Sequence, residues 1–303
     1  MRKSRLMTLC GAVGFFVVLA CGCSSSATAP PPSGPHLYAA ESSANQVAVL
    51  KLALTMTSMP AFNIGGFTSN TGVAFDSAKN LYVSNTVAGS VAVFNPPYSS
   101  TSAPVFTIAG AASTLVHPEQ IGFDSSGNLW VADQISTVLE FTPPFGAASA
   151  PALTVSNSVN SAQGVAFDAS RNLYVADGNA ALEVFAPPYA SAPVKNTTGL
   201  QFPSAVVTDA ANAYVADFSA KGVVVFSLPV TAVAAPAFTI TSGLGNGPQG
   251  LTFDGSGNLY VSTNAGEIVI FVPPFSVTST PALTVSCFES PASCLTRQMA
   301  FGP

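Results

Sequence analysis

The residues in this chain best equipped for chemistry are its carboxylates, eight Asp and six Glu, because oxygen ligands suit a hard divalent cation acting as a Lewis acid. Two histidines are too few for an imidazole-rich zinc centre. The aspartates all fall at two recurring places: Asp76, Asp124, Asp168, Asp209 and Asp254 open tight turns, while Asp133, Asp177 and Asp217 each close a Val-Ala-Asp triplet. A residue demanded by every repeat has a structural explanation, a side chain that accepts backbone N–H bonds in its turn. A ligand site needs residues that the repeat does not require. Those are Glu41, His117, Glu119, Asn264 and Arg297. Glu119, in HPEQIGFD, opens one repeat, and with Asp133 it makes a candidate oxygen-lined site for calcium or another divalent cation, or for a polyol, in a channel that focuses negative potential. The stretches NSVNSAQG and GSGN are turns, with neither a phosphate cradle nor a nucleophile elbow.

The elements that must position these residues are written in the spacing of the turn aspartates, which follow one another at 48, 44, 41 and 45 residues. Self-similarity at this period means a propeller or a solenoid. The stretch GVAFDSAKNLYVSN at residues 72–85 returns almost unchanged as GVAFDASRNLYVAD at 164–177, with apolar residues alternating as in strands. GVAFD is a first strand. DSAKN is a turn whose fourth residue takes φ > 0, a place filled by Lys79, Gly127, Arg171, Asn212 and Gly257. LYVSN and SVAVF are the second and third strands, NPPY stops the ladder, and PVFTI is the fourth. Four antiparallel strands per unit make a propeller blade. The first unit, HLYAAESSANQVAVLKL with MPAFNI, lacks strand one, and the final QMAFGP supplies it. The expected fold is therefore all-β, a six-bladed β-propeller over 36–303 closed by its C-terminal strand.

In that architecture the starts of first strands and the ends of second strands share one face of the channel. Gln120, Gln163, Gln249 and Gln298 are expected there at one equivalent position ahead of their first strands. Tyr38, Tyr82, Trp130, Tyr174, Tyr214 and Tyr260 are likewise one position in six blades. The Pro-Pro-aromatic motifs ending at Tyr98, Phe145, Tyr189 and Phe275 are either stiff bends whose aromatic packs on the neighbouring blade or an apolar docking ring.

Ahead of the repeats, residues 1–20 carry three basic residues and an apolar run too short for a membrane span, the pattern of a secretory signal. Val18-Leu19-Ala20-Cys21 resembles the lipobox of bacterial lipoproteins, which implies lipidation of Cys21, or of Cys23 as the second candidate, and a place in the cell envelope, periplasmic or on the surface. Residues 21–35, rich in Ser and Pro, read as an extended tether. Without the three leader cations the charge is 6 Lys and Arg against 14 Asp and Glu, a net −8. Binding of nucleic acid through its phosphates is disfavoured, and the membrane partner is reached through the anchor. Cys287 and Cys294 in CFESPASC are spaced for a local disulfide in an exported protein.

The repeated cassette, seen in GNLWVAD and RNLYVAD, resembles that of NHL-type six-bladed propellers and, more distantly, the regucalcin and gluconolactonase group, over residues 36–303. Regucalcin-like lactonases hold a divalent cation with a Glu opening one blade and Asn and Asp at the channel. Here the Glu-Gly-Pro opening is absent and Glu119 stands in its place. The favoured class is a non-catalytic ligand- or protein-binding module. The alternatives are a metal-dependent, lactonase-like hydrolase with its site on the channel face, and a surface structural protein.

Overall fold

The computed structural model describes residues 34–286 and 295–303. Within them the chain makes six four-stranded antiparallel sheets, each a blade of a six-bladed β-propeller. The innermost strands are Thr296–Gly302 in blade 1, Asn70–Phe75, Pro118–Phe123, Ala162–Phe167, Pro203–Thr208 and Pro248–Phe253 in blades 2 to 6. Blade 1 is assembled from both ends of the repeat region. Thr296–Gly302 pairs antiparallel with His36–Glu41, with Phe301 opposite Leu37 and Ala300 opposite Tyr38, and the sheet continues outward through Gln46–Lys51 and Phe62–Gly65.

Successive residues of a strand point to opposite faces, and in a ring of blades both faces are covered. Tyr38 and Ala40 pack towards blade 2 with Val73, Leu81 and Phe94, whereas Leu37 and Ala39 pack towards blade 6 with Tyr260, Ile268 and Ile270. Six such clusters fill the six junctions between neighbouring blades. The near-continuous apolar runs follow, since both faces of each sheet are core. No helix among the described residues is long and apolar enough to cross a membrane.

The turn aspartates bind within their own blades. Asp76 Oδ1 accepts from the Asn80 amide at 2.8 Å, and its Oδ2 accepts from Asn80 Nδ2 at 2.8 Å and the Tyr82 hydroxyl at 3.4 Å. Asp168 repeats the set with Asn172 and Tyr174, and in blade 3 Trp130 Nε1 takes the place of the hydroxyl. Lys79, Gly127, Arg171 and Gly257 have positive φ as expected, but Asn212 does not. The turn of blade 5 is one residue shorter: Asp209 N bonds to Asn212 O, as Asp76 N does to Asn80 O. Asn212 is thus the counterpart of Asn80, and that turn has no left-handed residue.

The Pro-Pro-aromatic motifs are inter-blade bends. Tyr98 packs edge-on against Tyr38 of blade 1 and Phe75 of its own blade, and Phe145 against Tyr82 and Phe123, Tyr189 against Trp130 and Phe167, and Phe275 against Tyr214 repeat the arrangement. Each contact adds about 1 kcal/mol to area burial and ties one blade to the previous one. Blades 1 and 5, which lack the motif, place Leu54 and Val230 in the corresponding clusters.

Candidate functional site

Each innermost strand carries a register shift next to the channel, for example between Pro118 and Ile121, Ala162 and Gly164, or Pro248 and Gly250. A bulge frees one residue from the ladder and re-aims its side chain. Counting back five residues from the turn position gives the six that form this ring: Arg297, Thr71, Glu119, Gln163, Ser204 and Gln249. All are polar, and two are charged.

The next residue inward is Gln298, Gly72, Gln120, Gly164, Ala205 or Gly250. The four glutamines therefore do not share one position, and they lie within their strands rather than ahead of them. Gln163 and Gln249 sit in the outer polar ring, whereas Gln120 and Gln298 occupy places that are Gly or Ala in the other blades. Those small residues leave room for the two amides. A Cβ on Gly164 would lie 2.7 Å from Gln120 Oε1, and one on Gly72 would lie 3.1 Å from Gln298 Oε1.

The amides use that room to cross the ring. Gln298 Oε1 accepts from Val73 N at 3.0 Å and Ile121 N at 3.1 Å, and its Nε2 donates to Ile121 O at 2.8 Å, so one side chain joins blades 1, 2 and 3. Gln120 Nε2 donates to Gln249 O at 3.2 Å, spanning from blade 3 to the opposite blade 6. On the turn side of this bridge the channel opens into a cavity of about 390 Å³. Its walls include Ala74, Gly122, Ala166, Thr252 and Ala300.

On the outer side the residues singled out by sequence are only partly brought together. Arg297 and Glu119 are half-buried members of the same ring. Arg297 Nη1 donates to Gln249 Oε1, its Nε reaches Ser42 Oγ at 3.5 Å, and Gln249 Nε2 donates to Asn264 Oδ1 at 3.4 Å. Asn264 and His117 are exposed. Glu41 lies apart, fully buried in the seam, where its Oε1 accepts from Thr296 Oγ1 at 2.6 Å. Asp133 is also buried, and its two oxygens accept from the backbone of Val116 at 2.8 Å and His117 at 2.9 Å, pinning the loop that leads into blade 3. Asp177 and Asp217 hold the corresponding loops. Thr71 was not singled out by sequence, although counting back from the turn anchors would have placed it beside Glu119.

A calcium ion takes six to eight oxygen ligands. No group of three or more His, Cys, Asp or Glu side chains that could hold a metal occurs among the described residues. Asp133 spends both oxygens on backbone N–H groups. Cys21, Cys23, Cys287 and Cys294 lie outside the described residues.

Burial pushes the Glu119 carboxyl from its ordinary 4.5 up to about 7, with Asp133 adding to the rise while Arg297 and a hydrogen bond with Thr71 oppose it. Between pH 4.5 and 7 the folded chain keeps a proton that the unfolded chain has lost, so this group's contribution to stability falls as pH rises through that window and is level above it. The loss amounts to about 3 kcal/mol. Glu119→Gln should lack this component, so urea midpoints of wild type and variant should lie close together near pH 4.5, where Glu119 is protonated like its amide isostere, and diverge near pH 8 with the variant the more stable; superimposable profiles would count against a Glu119 that holds its proton in the folded chain.

No sequence-family model and no curated protein matches the chain. Solved structures do. A chain from the crystal structure of a nidogen/laminin complex aligns over 89% of this chain and 99% of its own, with a TM-score of 0.65 and 17% identity. A protein of unknown function from Bacteroides caccae aligns over the same shares, with a TM-score of 0.64 and 14% identity. At such identities the likeness concerns the fold, and it agrees with the architecture described above: the chain is a six-bladed β-propeller.

Proposed function

We propose that this propeller is an extracytoplasmic, lipid-anchored binding module that engages a small polar ligand or a protein on its polar-ring face without turning it over. The observation that carries this reading is the pair Glu119 and Arg297. They are the two charged members of a ring whose other members are neutral, so they give a symmetric scaffold an asymmetric, ligand-sized polar patch. A propeller suits binding, and a propeller of similar shape occurs in the nidogen/laminin complex. The leader and lipobox-like segment support anchoring through Cys21, and the cassette supports kinship with NHL-type propellers.

The second reading, a metal-dependent lactonase-like hydrolase, is favoured by one feature. A carboxyl shifted to about 7 is suited to general acid–base work at neutral pH. Two experiments test the proposal. Cys21→Ala should release the protein from membranes to the soluble fraction, and its retention would point to Cys23 or to an uncleaved leader. A thermal-shift panel of calcium and neutral sugars should include a compound that stabilises wild type more than Glu119→Gln. If every compound shifts both proteins equally or shifts neither, the ring is not a site of this kind.

A further inference from the structure

The innermost strand of each blade has a ladder partner on its outer side only, so its inner edge turns unpaired backbone groups toward the bore. In an antiparallel ladder a residue aims both its N–H and its C=O at the partner strand or both away from it. Gln298 marks the residues that aim away. It bonds Val73 N, Ile121 N and Ile121 O from within the bore, and these two residues stand opposite Val83 and Val131. Val206 and Leu251 hold the same register in blades 5 and 6, opposite Val215 and Val261, so their N–H and C=O groups face the bore as well. Phe167, two residues after the equivalent Val165, has the same parity, and its carbonyl leaves the ladder to accept from Thr208 Oγ1 at 2.7 Å. The side chains of Val206 and Leu251 are packed in the 4/5 and 5/6 junctions, so what these residues contribute to the wall of the turn-side cavity is backbone. Among the described residues no side chain serves their N–H groups as Gln298 serves those of Val73 and Ile121.

A second observation comes from Gln120, which is 6% exposed and lines the same cavity of about 390 Å³. Its Nε2 donates to Gln249 O, and because a carbonyl only accepts, this bond fixes which way the amide points. Its Oε1 has no hydrogen-bond partner among the described residues and is not one of the unpartnered atoms sealed away from the surface. The cavity thus offers two adjacent N–H donors and one side-chain acceptor. None of its walls is an Asp, Glu, Lys, Arg or His side chain, so a charged ligand would sit there unpaired among apolar surfaces.

We infer that the turn-side cavity binds a small, neutral primary carboxamide that carries one apolar ring. Its oxygen accepts from Val206 and Leu251 N–H in the manner of Gln298 Oε1, its own N–H donates to Gln120 Oε1, and the ring lies nearer the turns, where Phe75, Phe253 and Phe301 line the cavity. A carboxamide holds an acceptor and a donor in one plane, and Gln298 demonstrates that the bore seats such a group against backbone. The volume falls within the range of small-molecule sites. This pocket and the polar ring lie on opposite sides of the glutamine bridge, so neither Glu119 nor Arg297 enters its test.

Full-length protein labelled with ¹⁵N-leucine and ¹⁵N-valine should be titrated with benzamide. The Leu251 and Val206 amide signals should shift saturably with a Kd of about 1 mM, while Val47, out in the third strand of blade 1, stays in place. Benzoate replaces the donor by a charge and N,N-dimethylbenzamide lacks the donor, so each should bind at least about tenfold more weakly. Gln120→Met keeps the length of the side chain without its oxygen and should lose the saturable response. Should that variant fail to fold, the ligand series on wild type still decides. Leu251 and Val206 signals that benzamide leaves in place, benzoate or N,N-dimethylbenzamide binding as tightly as benzamide, or full binding by folded Gln120→Met would each overturn the proposal.

Discussion

A chain ending at Leu295 should show no cooperative unfolding transition. Removing residues 296–303 takes away the innermost strand of blade 1, which pairs along Leu37, Tyr38 and Ala39 and buries Met299 at the 6/1 junction. It also removes both Gln298 bonds to Ile121 and the one to Val73, and therefore the link that ties blade 1 to blades 2 and 3 across the ring. A newly unpaired edge on His36–Glu41 and an opened core junction replace a closed ring. Total stability of a domain is only about 5–15 kcal/mol, and losing a complete strand consumes most of it. Circular dichroism melts should change from a sigmoid to a shallow slope, with exposed apolar surface detectable by dye binding. A melting curve matching the full chain would show that the seam strand is dispensable.

The second large effect is expected from one methyl group. A Cβ on Gly250 would lie 2.3 Å from the Arg297 carbonyl oxygen and 2.9 Å from its carbon. The obstacle is backbone, on the neighbouring blade, and no rotamer change relieves it. Gly250→Ala should cost about 3 kcal/mol, at the upper end of what overpacking does, which for a domain of this size lowers the Tm by roughly 8 °C. Gly255, in the Asp254 turn, has nothing within 4 Å of its would-be Cβ, so Gly255→Ala serves as the control and should leave the Tm nearly unchanged. Equal Tm values for the two variants would mean that blades 6 and 1 approach less closely than the structure places them.

Much of the architecture was legible because every blade must satisfy the same local chemistry. The anchor Asp, the aromatic of the second strand and the Pro-Pro stop recur with little drift, and the missing first strand of blade 1 could be matched to QMAFGP by the place of Phe301 alone. The errors arose where the count changed by one. A single deletion in the turn of blade 5 moved Asn212 from the left-handed place into the strand. The four glutamines fall into two rings because Gln163 and Gln249 stand five residues before their turn positions and Gln120 and Gln298 four, a difference of one that an eye for the motif passes over.

The site itself was less legible. That Glu119 and Arg297 belong to one ring follows from register, but the loss of Asp133 to its loop and of Glu41 to the seam depends on contacts tens to hundreds of residues away in sequence. Nor could the crossing of Gln120 to Gln249 be read from the chain, because it needs opposite blades to meet.

The two glutamine amides have a consequence for traffic. A propeller is easily pictured as a pipe, yet here a girder of side chains runs across the bore, with the polar ring on its outer side and the cavity of about 390 Å³ on its turn side. The two sides are free to diverge, since Gln120 and Gln298 stand between a substitution that reshapes the turn-side cavity and the polar ring.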